Sequence, residues 1–186
     1  MKTTKKLTTS ALLVALGAVL MLLSKIIPAP WLQGGSVTLA SMVPIILAGI
    51  MFGTKWGLCT SLVYALLQMM FGFYPPPTQT FINFVLVVFL DYILAFGVLG
   101  LSGTFYTLFG KKSIFIPVSG FIVTSLRYIC HIISGIAIWG VYAAEGQSVL
   151  AYSLIYNGSY MIPEIIITTI VLALLCKSPF FNSKVM

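Results

Sequence analysis

Six stretches of the chain are dominated by apolar side chains, at about residues 7–27, 37–54, 56–74, 81–108, 114–142 and 149–176. A helix needs roughly 20 mainly apolar residues to cross the hydrocarbon of a bilayer, and these runs approach or exceed that length. The second and third are short and tightly joined at "FGTKWG". Polar punctuation separates the runs at "PAPWLQGGS", "GTKWG", "FYPPPTQT", "GKKS" and "AAEGQS", where glycine, proline and serine favour turns. The pattern predicts an all-α integral membrane bundle of six transmembrane helices, with residues 1–186 forming one domain. No internal repeat and no low-complexity segment interrupts it.

Composition supports that reading. The 186 residues are 60% hydrophobic and only 7% charged, against about 25% charged in soluble domains. Too little polar surface exists to cover a soluble globule, which points to a multi-pass protein of the plasma membrane. The net charge of +7 does not indicate nucleic acid, because the lysines lie between apolar runs rather than clustering with aromatics. Their placement sets an orientation instead. With the N-terminus inside, Lys2, Lys5, Lys6, Lys55, Lys111, Lys112, Lys177 and Lys184 are all cytoplasmic, and only Lys25 falls near the outer side. Both termini are therefore expected in the cytoplasm. The basic start followed by Leu7–Leu23 imitates a signal peptide, but this run exceeds the ~7–15 residues of an h-region. It is expected to remain as the first helix.

Against this background the polar residues inside the runs stand out. Asp91 lies about ten residues into the fourth run, or ~15 Å at 1.5 Å per residue. His131 reaches a similar depth from the outer side on the fifth. Tyr152 and Asn157 occupy the first turns of the sixth, and Trp139 the outer end of the fifth. They outline a polar and aromatic pocket in the outer half of the membrane. Arg127 and Glu164 count to a deeper tier, ~20 Å down, where an unpaired charge is costly and mutual pairing is the expected remedy. Taken singly, Trp139 and Tyr152 read as interfacial anchors and His131 as a core residue. An ionisable carboxylate within a span is a functional candidate by default.

Catalytic chemistry is not indicated. Ser159 in "NGSYM" is not in a G-x-S-x-G elbow, Cys130 and His131 diverge on a helix, and no H-E-x-x-H occurs. Cys59, Cys130 and Cys176 are isolated, with neither metal-ligand spacing nor a disulfide framework. The segment "FGKKS" lacks the first glycine of a phosphate-binding loop, so the chain does not use ATP by itself. We therefore expect no enzyme, no metal and no cofactor. One carboxylate, several aromatic faces and an amide suit a small cationic or heteroaromatic solute, whose charge the rings and Asp91 would balance.

The residues then become specific. "LDYILAFGVLGLSGTF", "GGSVTLASMVPIILAG" and "LRYICHIISGIAIWGVYAAEGQSVLAYSLIYNGSYMIPE" resemble the thiamine-specific S-component of energy-coupling-factor vitamin importers, over roughly residues 8–176. The motif H-x3-G-x3-W-x2-Y, with Y-S-L-x2-N-G after it, carries most of the resemblance. It implies a six-helix subunit that binds thiamine from outside and delivers it through a transmembrane coupling protein and two ATPase subunits. Carried across residue by residue, it places the binding carboxylate on Asp91, the neighbouring aromatic on Tyr92 and the basic residue on Arg127. The imidazole falls on His131, the stacking indole on Trp139, and further polar contacts on Tyr152 and Asn157. Family members carry Glu in place of Asp91 and Lys in place of Arg127, which leaves a thiamine precursor or relative open as ligand.

The resemblance also assigns the A-x-x-x-A face of Ala11 and Ala15 to docking on the coupling protein; small residues four apart let helices approach closely. It assigns a gating role to the loop Pro28–Ser36, with Trp31 able to cover a ligand. A self-sufficient proton-coupled carrier, relaying through Asp91, His131 and Glu164, is the alternative. Carriers of that kind show repeat symmetry, which this chain lacks.

Overall fold

Apolar residues cover much of the outside of this chain, while several of its polar side chains point inward. Leu12, Phe81 and Ile155 are among many large hydrophobic residues left exposed, whereas Ser61, Ser102, Ser119, Thr124, Ser134 and Ser153 are fully buried. This inversion is expected where lipid is the solvent, because packing and interhelical hydrogen bonds then replace the hydrophobic drive. The structure is a computed structural model describing residues 3–26 and 35–178. Of the predicted loop Pro28–Ser36, residues 28–34, including Trp31, lie outside the described residues.

Six helices succeed one another among the described residues: α1 Thr3–Ser24, α2 Val43–Phe52, α3 Thr54–Gly72, α4 Phe81–Leu108, α5 Phe115–Ala137 and α6 Val149–Cys176. Of these, α1, α4, α5 and α6 are long and apolar enough to cross a membrane. The second differs most from its sequence-based boundaries. Where the apolar run suggests a helix over 37–54, the chain is irregular up to Met42 and helical for only 10 residues. Such a helix is about 15 Å long, half the hydrocarbon thickness. Pro44 sits in its first turn, and Val43 to Ile50 are all buried. A helix apolar on every side belongs in a core, and α2 packs against α1, α3 and α4.

Glycine makes that packing possible. An added Cβ on Gly57 would lie 2.6 Å from the Gly49 Cα and the Gly100 carbonyl oxygen, so α2, α3 and α4 meet backbone to backbone. Hydroxyls tie the junction further. Ser102 donates to the Ile46 carbonyl at 2.8 Å, Ser61 to the Gly97 carbonyl at 3.2 Å, and Thr54 and Thr104 share a hydrogen bond of 2.7 Å. The α5–α6 pair forms the most extensive contact of the bundle.

α4 tightens to a 3₁₀ helix over Val98–Leu101, and two further stretches depart from α-helical geometry. Val88–Leu94 winds as a π-helix within α4, and Trp139–Tyr142 forms a 3₁₀ turn after α5, where Ile138 breaks the helix at φ −126°. Widened turns like the one in α4 recur at functional sites.

Candidate functional site

The π turn of α4 carries two consecutive cavity-lining residues. Asp91 and Tyr92 both line a cavity of about 610 Å³. Val87 precedes Asp91 by four residues and Phe96 follows Tyr92 by four, so two adjoining stripes of α4 form one wall. Across from it stand Arg127, His131 and Trp139 from α5 and its 3₁₀ turn, and Tyr152, Tyr156, Asn157 and Tyr160 from α6. The stretch Gly35–Val37 with Leu39, preceding α2, completes the enclosure with Gln68 of α3 and Tyr74.

Asp91 organises one side. Its Oδ1 lies 3.0 Å from His131 Nδ1, while Oδ2 accepts from Ser134 Oγ at 2.6 Å and from Trp139 Nε1 at 3.1 Å. A carboxylate only accepts, so His131 carries a proton on Nδ1 and turns Nε2 elsewhere. That Nε2 has no hydrogen-bond partner among the described residues, nor have Tyr152 Oη and Arg127 Nε. Buried polar atoms are nearly always paired, and all three of these residues line the cavity. The arrangement therefore presents an imidazole, a phenol and a guanidinium to whatever occupies it.

Arg127 corrects one expectation. It does not pair with Glu164. Its guanidinium lies 4.2 Å from the centre of the Phe96 ring, and Nη1 lies 2.8 Å from Met42 Sδ. Glu164 bonds instead to Thr38, through the backbone N–H at 2.6 Å and through the hydroxyl. Among the described residues, the Asp91 carboxylate meets a basic side chain at His131, a contact that is ionic only when the imidazole carries both protons. The two tiers inferred from helical counting thus resolve differently: Arg127 joins the cavity, and Glu164 stands behind its wall.

Tyr92 and Asn157 line the cavity with their polar atoms already engaged. The Tyr92 hydroxyl donates to the Gly72 carbonyl at 3.0 Å and accepts from Tyr74 N–H at 2.9 Å. It pins the end of α3, and its ring contributes to the wall. Asn157 donates to the carbonyls of His131 and Ser153 and accepts from the Tyr160 hydroxyl at 2.6 Å. It fixes the two helices that carry the imidazole and the phenols. All seven binding candidates read from the sequence line this one cavity.

Sequence reasoning missed Ser134, Gln68, Tyr156 and Tyr160. A signal for the tyrosines existed, because Tyr152, Tyr156 and Tyr160 recur every fourth residue and so share one face of α6. They form a ladder, with Tyr152 and Tyr156 stacked at 5.8 Å and Tyr156 edge-on to Tyr160 at 6.0 Å. Trp139 is stacked on Tyr142 at 6.3 Å and lies 5.6 Å from Tyr74. Ala11 and Ala15 take no part in this chemistry. Both are exposed on α1, whose buried side is formed by Ser10, Val14, Gly17, Met21 and Ser24.

An all-helical bundle that encloses an aromatic cavity between apolar outer faces defines a membrane protein for a small organic solute. The chain belongs to the thiamine transporter protein family (Thia_YuaJ), whose model matches residues 7–181. It is 39% identical to the thiamine transporter ThiT of Bacillus subtilis over 152 residues, 77% of this chain and 76% of that one. Identity to ThiT of Lacticaseibacillus paracasei is 35% over 95 residues, 46% of this chain and 47% of that one. A solved structure of ThiT from Listeria monocytogenes matches the fold with a TM-score of 0.72 at 24% identity, covering 95% of this chain and 98% of that one. The family is one of multi-pass membrane transporters, not of enzymes.

Proposed function

We propose that the protein captures thiamine in this cavity from the outer side of the membrane and delivers it inward for ATP-driven import. In this reading it acts with a transmembrane coupling protein and two ATPase subunits, and both of its termini are cytoplasmic. The observation that carries the proposal is the single enclosure shared by a carboxylate, an aromatic ladder and unpartnered polar atoms. Thiamine joins a flat aminopyrimidine to a thiazolium cation. The indole and phenol rings stack on the former and face the cation with their quadrupoles, while Asp91 supplies the anion. Tyr92, Arg127, His131, Tyr152 and Asn157 complete the set assigned to the ligand. Mass spectrometry of small molecules retained by the purified protein tests this directly: thiamine is expected, and its absence after growth with thiamine counts against the reading.

Trp139 should report binding. Trp139 lines the cavity, whereas Trp56 donates to Ser10 at 2.7 Å outside it. Thiamine is expected to quench the fluorescence. In Trp139→Phe most of the quench should disappear and binding should weaken by about 1 kcal/mol, the scale of one aromatic contact. A full signal in the variant would move the stacking role to another ring.

The coupling surface should be separable from the cavity. Ala11 and Ala15 face outward beside Leu12 and Leu16, and a bulky pair there would hold a partner helix away without touching the cavity. Ala11→Trp with Ala15→Trp should preserve thiamine binding in detergent and abolish both cellular uptake and co-purification with the coupling proteins. Unimpaired uptake would remove this face as the docking surface. Uptake by vesicles holding this protein alone, driven by a proton gradient, would favour a self-sufficient carrier.

A further inference from the structure

One buried carboxylate has no part in the cavity lining. Glu164 on α6 is 1% exposed, yet both of its oxygens are taken by a single residue, Thr38, through its N–H and its hydroxyl. Ser41 completes the arrangement by donating to Thr38 Oγ1 at 2.8 Å. Thr38 comes directly after the stretch Gly35–Val37, which has no regular secondary structure and forms part of the cavity wall together with Leu39. Backbone N–H groups in such a stretch have no ladder to join, and each buried one needs a partner. Side chains supply them. Gly35 N–H donates to the Tyr156 hydroxyl at 3.2 Å, and Leu39 N–H donates to Ser24 Oγ at 2.7 Å. The wall thus hangs from α1 and α6, and its carboxyl attachment is Glu164. The two carboxyl oxygens each engage a different group of Thr38, so they fix both its position and its orientation.

We propose that Glu164 is a positioning residue that clasps the wall formed by residues 35–39 against the cavity and so sets how long a bound solute stays. The inference rests on the proposed capture of thiamine in this cavity. Glu164 touches no solute; it acts through Thr38 on residues that do border the cavity. Loosening the clasp lets the wall move away from an occupied cavity, and the effect falls on release.

Stopped-flow fluorescence with thiamine, on the wild type and on E164Q, T38V and T38S, separates association from dissociation. The wild type is measured first. If it does not bind, thiamine capture fails by itself, and the clasp is then decided by amide exchange alone. With wild-type binding established, dissociation should be about tenfold faster in E164Q and T38V, with association changed by less than about threefold. T38S keeps both donors and should behave as wild type. In hydrogen exchange read by mass spectrometry, peptides spanning residues 35–42 should exchange faster in E164Q and T38V, while those of α5 stay unchanged. Unaltered dissociation and exchange in T38V overturn the clasp. So does equal behaviour of T38V and T38S, or faster exchange throughout all helices, which would mark a purely structural role. Should E164Q fail to fold, T38V decides the question with the carboxylate in place.

Discussion

Asp91→Asn is expected to weaken thiamine binding by about 1.5–3 kcal/mol, the scale of a hydrogen bond to a charged group. The substitution is close to a pure removal of charge. The new amide oxygen can still accept from Ser134 and Trp139, and its NH2 can donate to His131 Nδ1 once the imidazole proton moves to Nε2. The network survives in a different tautomer, but the anion is gone. A pyrimidine analogue without the thiazolium should lose much less affinity. Titration calorimetry with both ligands decides the matter, and equal losses would reject Asp91 as the partner of the cation. Asp91→Ala should be worse for both ligands, because it leaves Ser134, Trp139 and His131 without their shared acceptor.

Gly100→Ala should cost more than about 3 kcal/mol, or prevent folding, because overpacking against backbone leaves nothing flexible to yield. A Cβ at position 100 would lie 2.5 Å from the Leu58 amide nitrogen and 2.7 Å from the Gly57 carbonyl oxygen. Gly97 is the internal control. It sits about one turn earlier on α4, where a Cβ would meet only Leu62 Cδ2 at 3.8 Å. Gly97→Ala should be neutral or stabilising by up to about 1 kcal/mol through helix propensity alone. Thermal unfolding in detergent, monitored by fluorescence, compares the two. If both variants unfold like wild type, the close approach of α2, α3 and α4 does not hold the bundle together.

The helices and their membrane setting were legible because both depend on local properties. A run of apolar residues reports the solvent that a segment tolerates, and Gly, Pro and Ser mark where the run ends. Depth along a helix comes from a fixed rise per residue, which is why Asp91, His131, Trp139, Tyr152 and Asn157 were brought together by counting alone and do share one cavity. The same logic failed at residues 37–42. Their side chains are acceptable in a buried helix or in a buried irregular segment, and hydropathy does not distinguish the two. Side chains distant in sequence, Glu164 for Thr38 and Ser24 for Leu39, make the irregular backbone tolerable there.

What the sequence determined by itself was therefore an all-helical membrane chain with its polar residues gathered at a common depth. Tertiary structure decided the partners. Arg127 and Glu164 are matched by charge and by counted depth, yet Arg127 settles over Phe96 and Glu164 binds backbone and hydroxyl. The π turn that holds Asp91 and Tyr92 leaves no periodic trace, since it changes winding and not composition. Pairing is a property of directions in space, fixed by how helices cross and how closely glycine lets them approach, and a linear pattern records neither.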